Sequence, residues 1–199
     1  MAHTIYWFEN SMEQEALELV RGLRRRDPEL LDRLIQQYHY RLLRYLCMLV
    51  GHRETAEDLF QETWVRVLEK GHQYRAQWKF ESWLFSVARN LTIDFLRRRQ
   101  PQSLEALLEE TPGAPPRELA ATNAPTSFEA LAQSEEAARL AAVVAALPPA
   151  YREVLVLRFQ EDLALEEIAG IVSAPLSTVK SRLYRGLEAL RERWVGGTV

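Results

Sequence analysis

The chain has 199 residues, of which 47% are hydrophobic, and a net charge of −3 at pH 7. This length predicts one large or two small domains, and the weakly acidic balance excludes a protein that coats nucleic acid along its whole surface. No apolar run reaches about 18 residues, the length of a membrane span, so no membrane insertion is expected. Cys47 is the only cysteine, which excludes an internal disulfide and makes the cytoplasm the default location.

The N-terminal half, residues 12–100, has the periodicity of a helical domain behind an extension at residues 1–11. The extension lacks the features of a secretion signal. A first helix is predicted over residues 13–26 and a second from Asp27-Pro28, a cap followed by proline, to about Val50, where Gly51 ends it. A third helix over residues 54–70 has its apolar face inward and shows three polar residues on its outer face: Asp58, Gln61 and Glu62.

A fourth helix is predicted over residues 81–99, after a loop that carries Trp78 and Phe80. With Leu84 facing inward, steps of about 100° per residue place five side chains outward: Ser86, Arg89, Asn90, Ile93 and Arg97. Aromatic rings can stack on unpaired bases and arginine can hold the backbone, so this face is a candidate single-strand site. The alternative, that the loop aromatics fill the core, stays open and is favoured for Trp83.

Residues 101–132 are rich in proline, alanine and glutamate, and a long helix cannot cross them. They predict a flexible acidic linker, with one short helix considered at residues 103–110. About thirty residues can extend to roughly 100 Å, more than the ~34 Å of one DNA turn. The two domains could therefore reach separate DNA sites, although a plain tether is an equally open interpretation.

The last part, residues 133–195, predicts a helix-turn-helix domain. Its first helix, residues 165–172, packs through Ile168, Ala169 and Val172, and Ser177 is expected to cap the second helix. If Val179 faces inward with Leu183, Leu187 and Leu190, the opposite face and its flanks present six polar side chains: Thr178, Lys180, Ser181, Arg182, Tyr184 and Arg185. Such donors suit base edges and phosphates in the major groove, whereas a merely solvated basic face is the alternative.

No convincing alternating strand segment is present, so the predicted fold is all-α: two small helical domains joined by a flexible linker. The chain resembles an extracytoplasmic-function (ECF) sigma factor, a small bacterial initiation factor that binds RNA polymerase and directs it to promoters. Three stretches carry the resemblance, in the order and separation of the family's second and fourth conserved regions: AEDLFQETW (residues 56–64), FESWLFSVARN (80–90) with Asp94 and residues 97–99 after it, and LPP (147–149) with TVKSRL (178–183).

The resemblance implies a role for each candidate face. The outer face of the third helix (Asp58, Gln61, Glu62) would dock on the coiled-coil clamp of the polymerase's largest subunit. The loop and fourth helix would hold the melted minus-ten element through Trp78, Phe80, Ser86, Arg89, Asn90, Ile93 and Arg97. The final helix would bind the duplex minus-thirty-five element, with Ser181, Tyr184 and Arg185 on base edges and Ser177, Thr178, Lys180 and Arg182 on phosphates. An anti-sigma protein is an implied partner, and no cofactor is implied.

The sequence departs from the family pattern at two helix starts. His52 stands where family members commonly have Asp, and Ala164 stands where they have Ser or Thr, so both caps are expected to be weaker. Asp162 is a candidate substitute for the second cap. Residues 5–10 (IYWFEN) have no family counterpart, and docking on a partner, docking on the body of the protein and disorder all stay open.

Two rival functions differ from that of a sigma factor in the residues they require. A helix-turn-helix repressor or activator would bind duplex DNA without polymerase, but it has no need of the Asn90, Ile93 and Arg97 face beside an aromatic loop. An enzyme is not expected, because His39, His52 and His72 are scattered, and the sequence has neither a metal-ligand pair nor a glycine-rich phosphate loop. No catalytic residue and no metal are therefore predicted.

Overall fold

A computed structural model describes residues 2–99 and 135–196, and within these ranges the chain is helical with no strand. The predicted linker and its short helix lie outside the described residues. The all-α prediction is confirmed. The helices are α1 (Ala2–Arg25), α2 (Pro28–Val50), α3 (Arg53–Lys70), α4 (Phe80–Arg99), α5 (Glu135–Ala145), α6 (Pro149–Leu155), α7 (Leu165–Val172) and α8 (Leu176–Gly196). None of the described helices is long and apolar enough to cross a membrane.

Helix α2 begins and ends as its sequence predicts. The Asp27 carboxylate accepts hydrogen bonds from the backbone N–H groups of Glu29 (3.0 Å) and Leu30 (3.4 Å), and Pro28 occupies the first helical turn. Gly51 follows with a φ of 75°, the left-handed conformation that ends many helices and favours glycine. Helix α1 starts earlier than the predicted residue 13, so residues 5–10 lie within it.

The N-terminal domain is built by α2, α3 and α4, which pack against one another. The rings of Tyr45 on α2 and Phe85 on α4 meet edge to face, with centroids 5.0 Å apart. Both side chains are fully buried, as are Leu42, Leu46 and Leu84 around them. Aromatic pairs in this geometry are favourable beyond the area they bury, so these side chains fix the angle between α2 and α4.

The C-terminal domain is built by α6, α7 and α8, and a π-helical turn (Val156–Gln160) extends α6. Helix α8 crosses α6 closely at Gly186, where a Cβ would lie 3.1 Å from Leu155 Cδ1 and 3.3 Å from Tyr151 Cβ. A side chain at this position would therefore press on Leu155 and Tyr151, which must give way by a few tenths of an ångström. Leu187, predicted to face inward, is instead partly exposed, because Gly186 takes the buried position beside α6.

The two domains pack together through one hydrophobic core. Helix α4 lies between α2 and α3 on one side and α7 on the other, and buried residues of α7 such as Ile168 belong to the same cluster as Leu84 and Phe85. Residues far apart in the chain therefore cover α4 from two directions. This double contact decides which of its side chains can reach a ligand.

Candidate nucleic-acid and polymerase interfaces

The outer face of α3 is exposed as predicted. Asp58, Gln61 and Glu62 all lie at the surface, and Glu62 accepts a hydrogen bond from Arg66 at 3.1 Å. The structure adds Val65 and Leu68, whose side chains are exposed on the same helix. These two residues were not predicted from the sequence, although exposed apolar side chains beside charged ones are typical of a protein interface. The face combines acceptors with apolar area, as a docking surface requires.

The two aromatic side chains of the loop before α4 have different environments. Trp78 is 56% exposed, whereas Phe80 is buried and its ring packs within 6 Å of the rings of Tyr38, Tyr74 and Trp83. The prediction that Phe80 is available to a base is wrong, because the ring fills the core at the start of α4. Trp83 is partly buried against the same cluster, in agreement with the core interpretation.

The loop also forms a shallow pocket beside Trp78, lined by residues 73–78 and by Trp83. The Tyr74 hydroxyl donates a hydrogen bond to the Trp78 carbonyl oxygen at 3.0 Å, which fixes the loop backbone. Burial raises the pKa of Tyr74, with Glu81 adding to the effect, so its hydroxyl keeps the proton that makes this bond.

On α4 the predicted outward face is only partly exposed. Asn90 and Arg97 are exposed, and Ser86 and Ile93 are half-buried. Arg89 was predicted to point outward, and this is wrong: it is 4% exposed. Its Nε donates to Glu153 Oε1 of α6 at 2.8 Å. The C-terminal domain covers this part of the helix.

The charge of Arg89 is preserved although it is buried. Burial is the largest effect and alone would lower the pKa of its guanidinium, but the charge of Glu153, the interaction with Tyr45 and the hydrogen bond to Glu153 together outweigh it, and the pKa is raised. The Tyr45 hydroxyl donates to the same Glu153 oxygen at 2.8 Å. Burial raises the pKa of Tyr45 well above its ordinary value, and the Glu153 charge adds to this. Glu153 is thus a carboxylate with donors from α2 and α4.

Helix α8 presents a continuous polar face. Ser177, Lys180, Tyr184 and Arg185 are exposed, Tyr184 by 71%, while Thr178 and Ser181 are half-buried. These residues are spaced three and four apart, so they share one side of the helix. Two predictions fail here. Arg182, placed on the flank, is buried, and Ser177 is not the cap, because α8 begins at Leu176.

The two helices whose N-terminal caps are expected to be weak, α3 and α7, differ in how they begin. His52 makes no side-chain cap bond to α3. At α7, Glu167 Oε2 accepts the N–H of Ala164 at 2.9 Å, whereas Asp162, the predicted substitute, contacts Arg158 at 3.3 Å. The other oxygen of Glu167 accepts from the Ser82 hydroxyl of α4 at 2.8 Å. One side chain therefore serves both the start of α7 and the contact between the domains.

Metal-ligating side chains are not grouped in the part of the chain that the structure describes, where no three His, Cys, Asp or Glu residues come together in a suitable arrangement. His39 packs against the rings of Tyr40 and Phe60, with centroids 5.2 and 5.0 Å away. Its imidazole therefore has a packing role in the N-terminal domain.

Comparison with known protein families gives two matches that cover more than half of the chain. Residues 34–102 match the family described as Sigma-70 region 2, and residues 137–190 match the family described as Sigma-70, region 4. The first match contains α3, the aromatic loop and α4. The second contains α6, α7 and the part of α8 that carries the polar face.

Similar proteins and structures agree with these matches. The chain is 30% identical to ECF RNA polymerase sigma factor RpoE of Cereibacter sphaeroides, over 87% of this chain and 92% of that protein. It is 35% identical to ECF RNA polymerase sigma factor SigE of Mycolicibacterium smegmatis, over 81% of this chain but only 60% of that longer protein. The solved structure of CnrH in complex with the cytosolic domain of CnrY shares the fold, with a TM-score of 0.60, 18% identity and coverage of 92% of this chain and 96% of that one.

Proposed function

The chain belongs to the extracytoplasmic-function family of RNA polymerase sigma factors, and we propose that its two helical domains divide promoter recognition between them. As a sigma factor it binds core RNA polymerase and directs initiation at promoters. The observation that carries the division is that each domain exposes its own set of polar and aromatic side chains. Trp78, Asn90 and Arg97 belong to the N-terminal domain, and the polar face of α8 belongs to the C-terminal domain.

The outer face of α3 is the proposed polymerase-binding surface. Its acceptors Asp58, Gln61 and Glu62 lie beside the exposed Val65 and Leu68. A docking surface of this kind gains affinity from the apolar residues and orientation from the polar ones. Because this face is on the side of α3 that does not contact the core, docking would leave the packing of the N-terminal domain unchanged.

The loop pocket and the exposed part of α4 are the proposed site for the melted minus-ten element. Removing a base from its stack costs a few kcal/mol, and stacking on an aromatic side chain returns about 1–3 kcal/mol per base. Trp78 is the exposed ring that can provide this stacking, and Asn90 can bond a base edge. The rest of the free energy of unstacking must come from contacts to the DNA backbone and from polymerase. Arg97 is exposed and can make such a backbone contact.

The polar face of α8 is the proposed site for the duplex minus-thirty-five element. Ser181, Tyr184 and Arg185 are the proposed contacts to base edges, and Ser177, Thr178 and Lys180 are the proposed contacts to phosphates. A good base contact by arginine discriminates against a wrong base by about 1–3 kcal/mol. Arg182, which is buried, is left out of the proposed contact set.

Reconstitution with core polymerase tests this function against the repressor alternative. The purified chain is mixed with core enzyme and a promoter library drawn from genomic DNA, and transcripts and strand opening are measured, the latter by permanganate reactivity of unpaired thymines. Promoter-specific transcripts with opening around the minus-ten position are expected. Binding of duplex DNA by the free chain, with no effect on core enzyme, would instead favour the repressor.

Regulation by an anti-sigma protein is also proposed. The sigma factor RpoE of Bartonella quintana was solved in complex with the anti-sigma factor NepR, and that structure has a TM-score of 0.54 and 20% identity to this chain, over 92% of this chain and 96% of that one. We propose the cytoplasm as the site of action and no catalytic activity, as expected of an initiation factor. Proteins that co-purify with the tagged chain and suppress its transcription in the reconstituted system would identify the inhibitor.

A further inference from the structure

We propose that the N-terminal domain has a second nucleic-acid surface, which binds the phosphates of the unpaired DNA strand where that strand leaves the pocket beside Trp78. The surface lies where the C-terminal ends of α1 and α3 meet. We call it the basic junction, and five side chains form it: Arg24, Arg25, Arg26, Lys70 and Arg75. The inference rests on the proposed function, because it takes the pocket as the site of the melted minus-ten element.

One close backbone contact brings the two helix ends together. Helix α3 ends at Lys70, and Gly71 then packs on Leu23 of α1. A Cβ at Gly71 would lie 3.3 Å from Leu23 Cβ and 3.4 Å from the Leu23 carbonyl oxygen, and both residues are buried. The three arginines that follow Leu23 and the lysine that precedes Gly71 therefore share one part of the surface, and all four are exposed.

The basic junction borders the aromatic loop pocket. A 3-10 turn (Gly71–Gln73) connects α3 to the loop, and Gln73 at its end already lines the pocket. Arg75 belongs to both features, since it is exposed and also lines the pocket beside Trp78. A strand with one base stacked on Trp78 would therefore have its next phosphates close to arginine and lysine side chains.

The positive charges of the junction are not neutralised within the part of the chain that the structure describes. None of the five side chains makes a hydrogen bond or an ion pair to another described residue. The carboxylates next to them in the sequence have other partners: Asp27 accepts from backbone N–H groups of α2, and Glu69 pairs with Arg66 at 3.3 Å. Because like charges that lie close together repel, an anion from outside would stabilise this arrangement.

The helix dipole explains only part of the junction. Basic side chains are favourable in the last turn of a helix, which accounts for Arg24 and Arg25 on α1 and for Lys70 on α3. Arg26, however, lies beyond α1 and has a φ of 54°, a left-handed conformation in which glycine is preferred. Arg75 lies in the loop. The chain therefore keeps positive charge at two positions where the end of a helix does not require it.

The local charge balance is opposite to that of the whole chain. Residues 21–33 and 66–79 contain nine Arg or Lys and four Asp or Glu, whereas the whole chain contains 25 and 28. A basic region on an acidic protein attracts a polyanion to that region alone. Unpaired surface cations bind backbone phosphates without regard to base sequence. The ligand is therefore the sugar-phosphate backbone of the strand, beyond the bases proposed to contact Trp78 and Asn90.

The test compares two forked promoter DNAs bound to reconstituted holoenzyme, with affinity measured by fluorescence anisotropy. In the short fork the unpaired strand ends with the minus-ten element, and in the long fork it continues toward the transcription start. The triple variant Arg25→Gln, Arg26→Gln, Lys70→Gln should bind the long fork at least about tenfold more weakly and the short fork equally well. Because each phosphate contact on a single strand adds about 0.7 to the slope of log affinity against log salt, that slope should fall by about 2.

The matched control is Arg53→Gln, which removes the same charge from an exposed side chain at the opposite end of α3, about 25 Å from Lys70 along the helix axis. It should leave both affinities and the salt slope unchanged. Circular dichroism checks that each variant is folded. Affinity for core polymerase without DNA is measured as well, and it should be the same for the unmodified chain, the triple variant and the control.

Residue 26 offers a variant whose effects on folding and on binding have opposite signs. The N–H groups of Arg26 and Asp27 close α1 on the carbonyl oxygens of Leu23 and Gly22, at 3.3 and 3.0 Å. Arg26→Gly places the preferred residue in this ending, so it should raise the midpoint of thermal unfolding by about 2–4 °C. It should nevertheless weaken binding of the long fork, whereas Arg26→Lys, which keeps the charge, should bind that fork normally.

The outcomes separate the basic junction from the proposed function. Equal affinity of the unmodified chain and the triple variant for the long fork overturns the junction and leaves the promoter assignment intact. Equal weakening of both forks overturns it too, as does a loss of affinity for core polymerase, which would make this surface a polymerase contact. If the unmodified holoenzyme neither opens promoters nor makes promoter-specific transcripts, the proposed function is overturned, and with it the assignment of this ligand to the junction.

Discussion

Helices α4 and α8 both carry rows of basic residues, but the two rows differ in how far their side chains are exposed. On α8, Lys180 and Arg185 are exposed beside Tyr184. On α4, Arg97 is exposed while Arg89, two turns earlier, is buried against Glu153. The polar face of α8 is exposed, whereas the corresponding face of α4 is partly covered by α6 at Arg89. The comparison shows that a helix contacted from two sides has two buried faces.

The largest expected difference is in the free energy of unfolding, between variants of Trp78 in the loop and of Phe80 at the start of α4. Phe80→Ala removes a buried ring from contact with Tyr38, Tyr74 and Trp83, and should lower the free energy of unfolding by about 3–5 kcal/mol. Trp78→Ala removes an exposed ring, and should change stability by no more than about 0.5 kcal/mol while reducing promoter opening. Urea denaturation and permanganate footprinting measure the two effects. A stability loss of similar size in both variants would contradict the assigned environments.

On α8, Arg185→Ala should weaken discrimination at the upstream element by about 1–3 kcal/mol while leaving polymerase binding intact. The measurement is competition between matched and mismatched minus-thirty-five sequences in reconstituted holoenzyme. Arg191→Ala, on the same helix nearer its C-terminal end, is the control and should alter affinity without altering discrimination. Loss of core binding in the Arg185 variant would show that the face is wrongly assigned.

On α4, Asn90→Ala should slow strand opening by about tenfold, the effect of one lost hydrogen bond in the opened complex. Capture of the closed duplex promoter should be nearly unaffected. Stopped-flow fluorescence of a base analogue at the minus-ten position measures opening, and filter binding measures capture. Gln36→Ala removes an exposed amide from α2 and serves as the control. Equal losses of capture and opening would argue against a single-strand role.

The smallest expected effects on stability come from substitutions at the N-terminal cap of one helix in each domain. His52→Asp should supply the missing cap of α3, and Ala164→Ser should add a second bond at the start of α7, where Glu167 already accepts the backbone N–H. Each should raise the free energy of unfolding by about 1 kcal/mol. Thermal denaturation measures both, and His52→Ala, which adds no acceptor, should leave the melting temperature nearly unchanged.

The sequence predicts helix bounds and exposed faces correctly where the interactions that determine them are local. The Asp27-Pro28 start and the Gly51 end of α2 follow from backbone chemistry within a few residues, and the bounds predicted for α7 match the structure. The exposed outer face of α3 follows from a helix packed on one side. Family resemblance supplied the roles of these faces, which periodicity alone does not contain.

The failures have a common physical origin in contacts between distant parts of the chain. The helical pattern puts Arg89 on the outer side of α4, but Glu153 covers it from a helix more than sixty residues later. Phe80 and Leu187 were misplaced because their burial depends on a neighbouring ring cluster and on Gly186, and neither appears in a single helical pattern. A buried Arg and a buried Glu in separate domains give no periodic signal.

Gly186 has a consequence for how this protein distinguishes one promoter from another. It lies on the buried side of α8, whereas Tyr184 and Arg185 are exposed, and its missing side chain allows the helix to rest directly on Leu155. A methyl group there would lie 3.1 Å from Leu155 Cδ1, so Leu155 or α8 must shift by a few tenths of an ångström, and a shift of α8 would change the angle at which its residues meet a groove. We therefore expect Gly186→Ala to alter base preference although no nucleotide would contact residue 186, because the packing of α8 on α6 sets the orientation of the polar face.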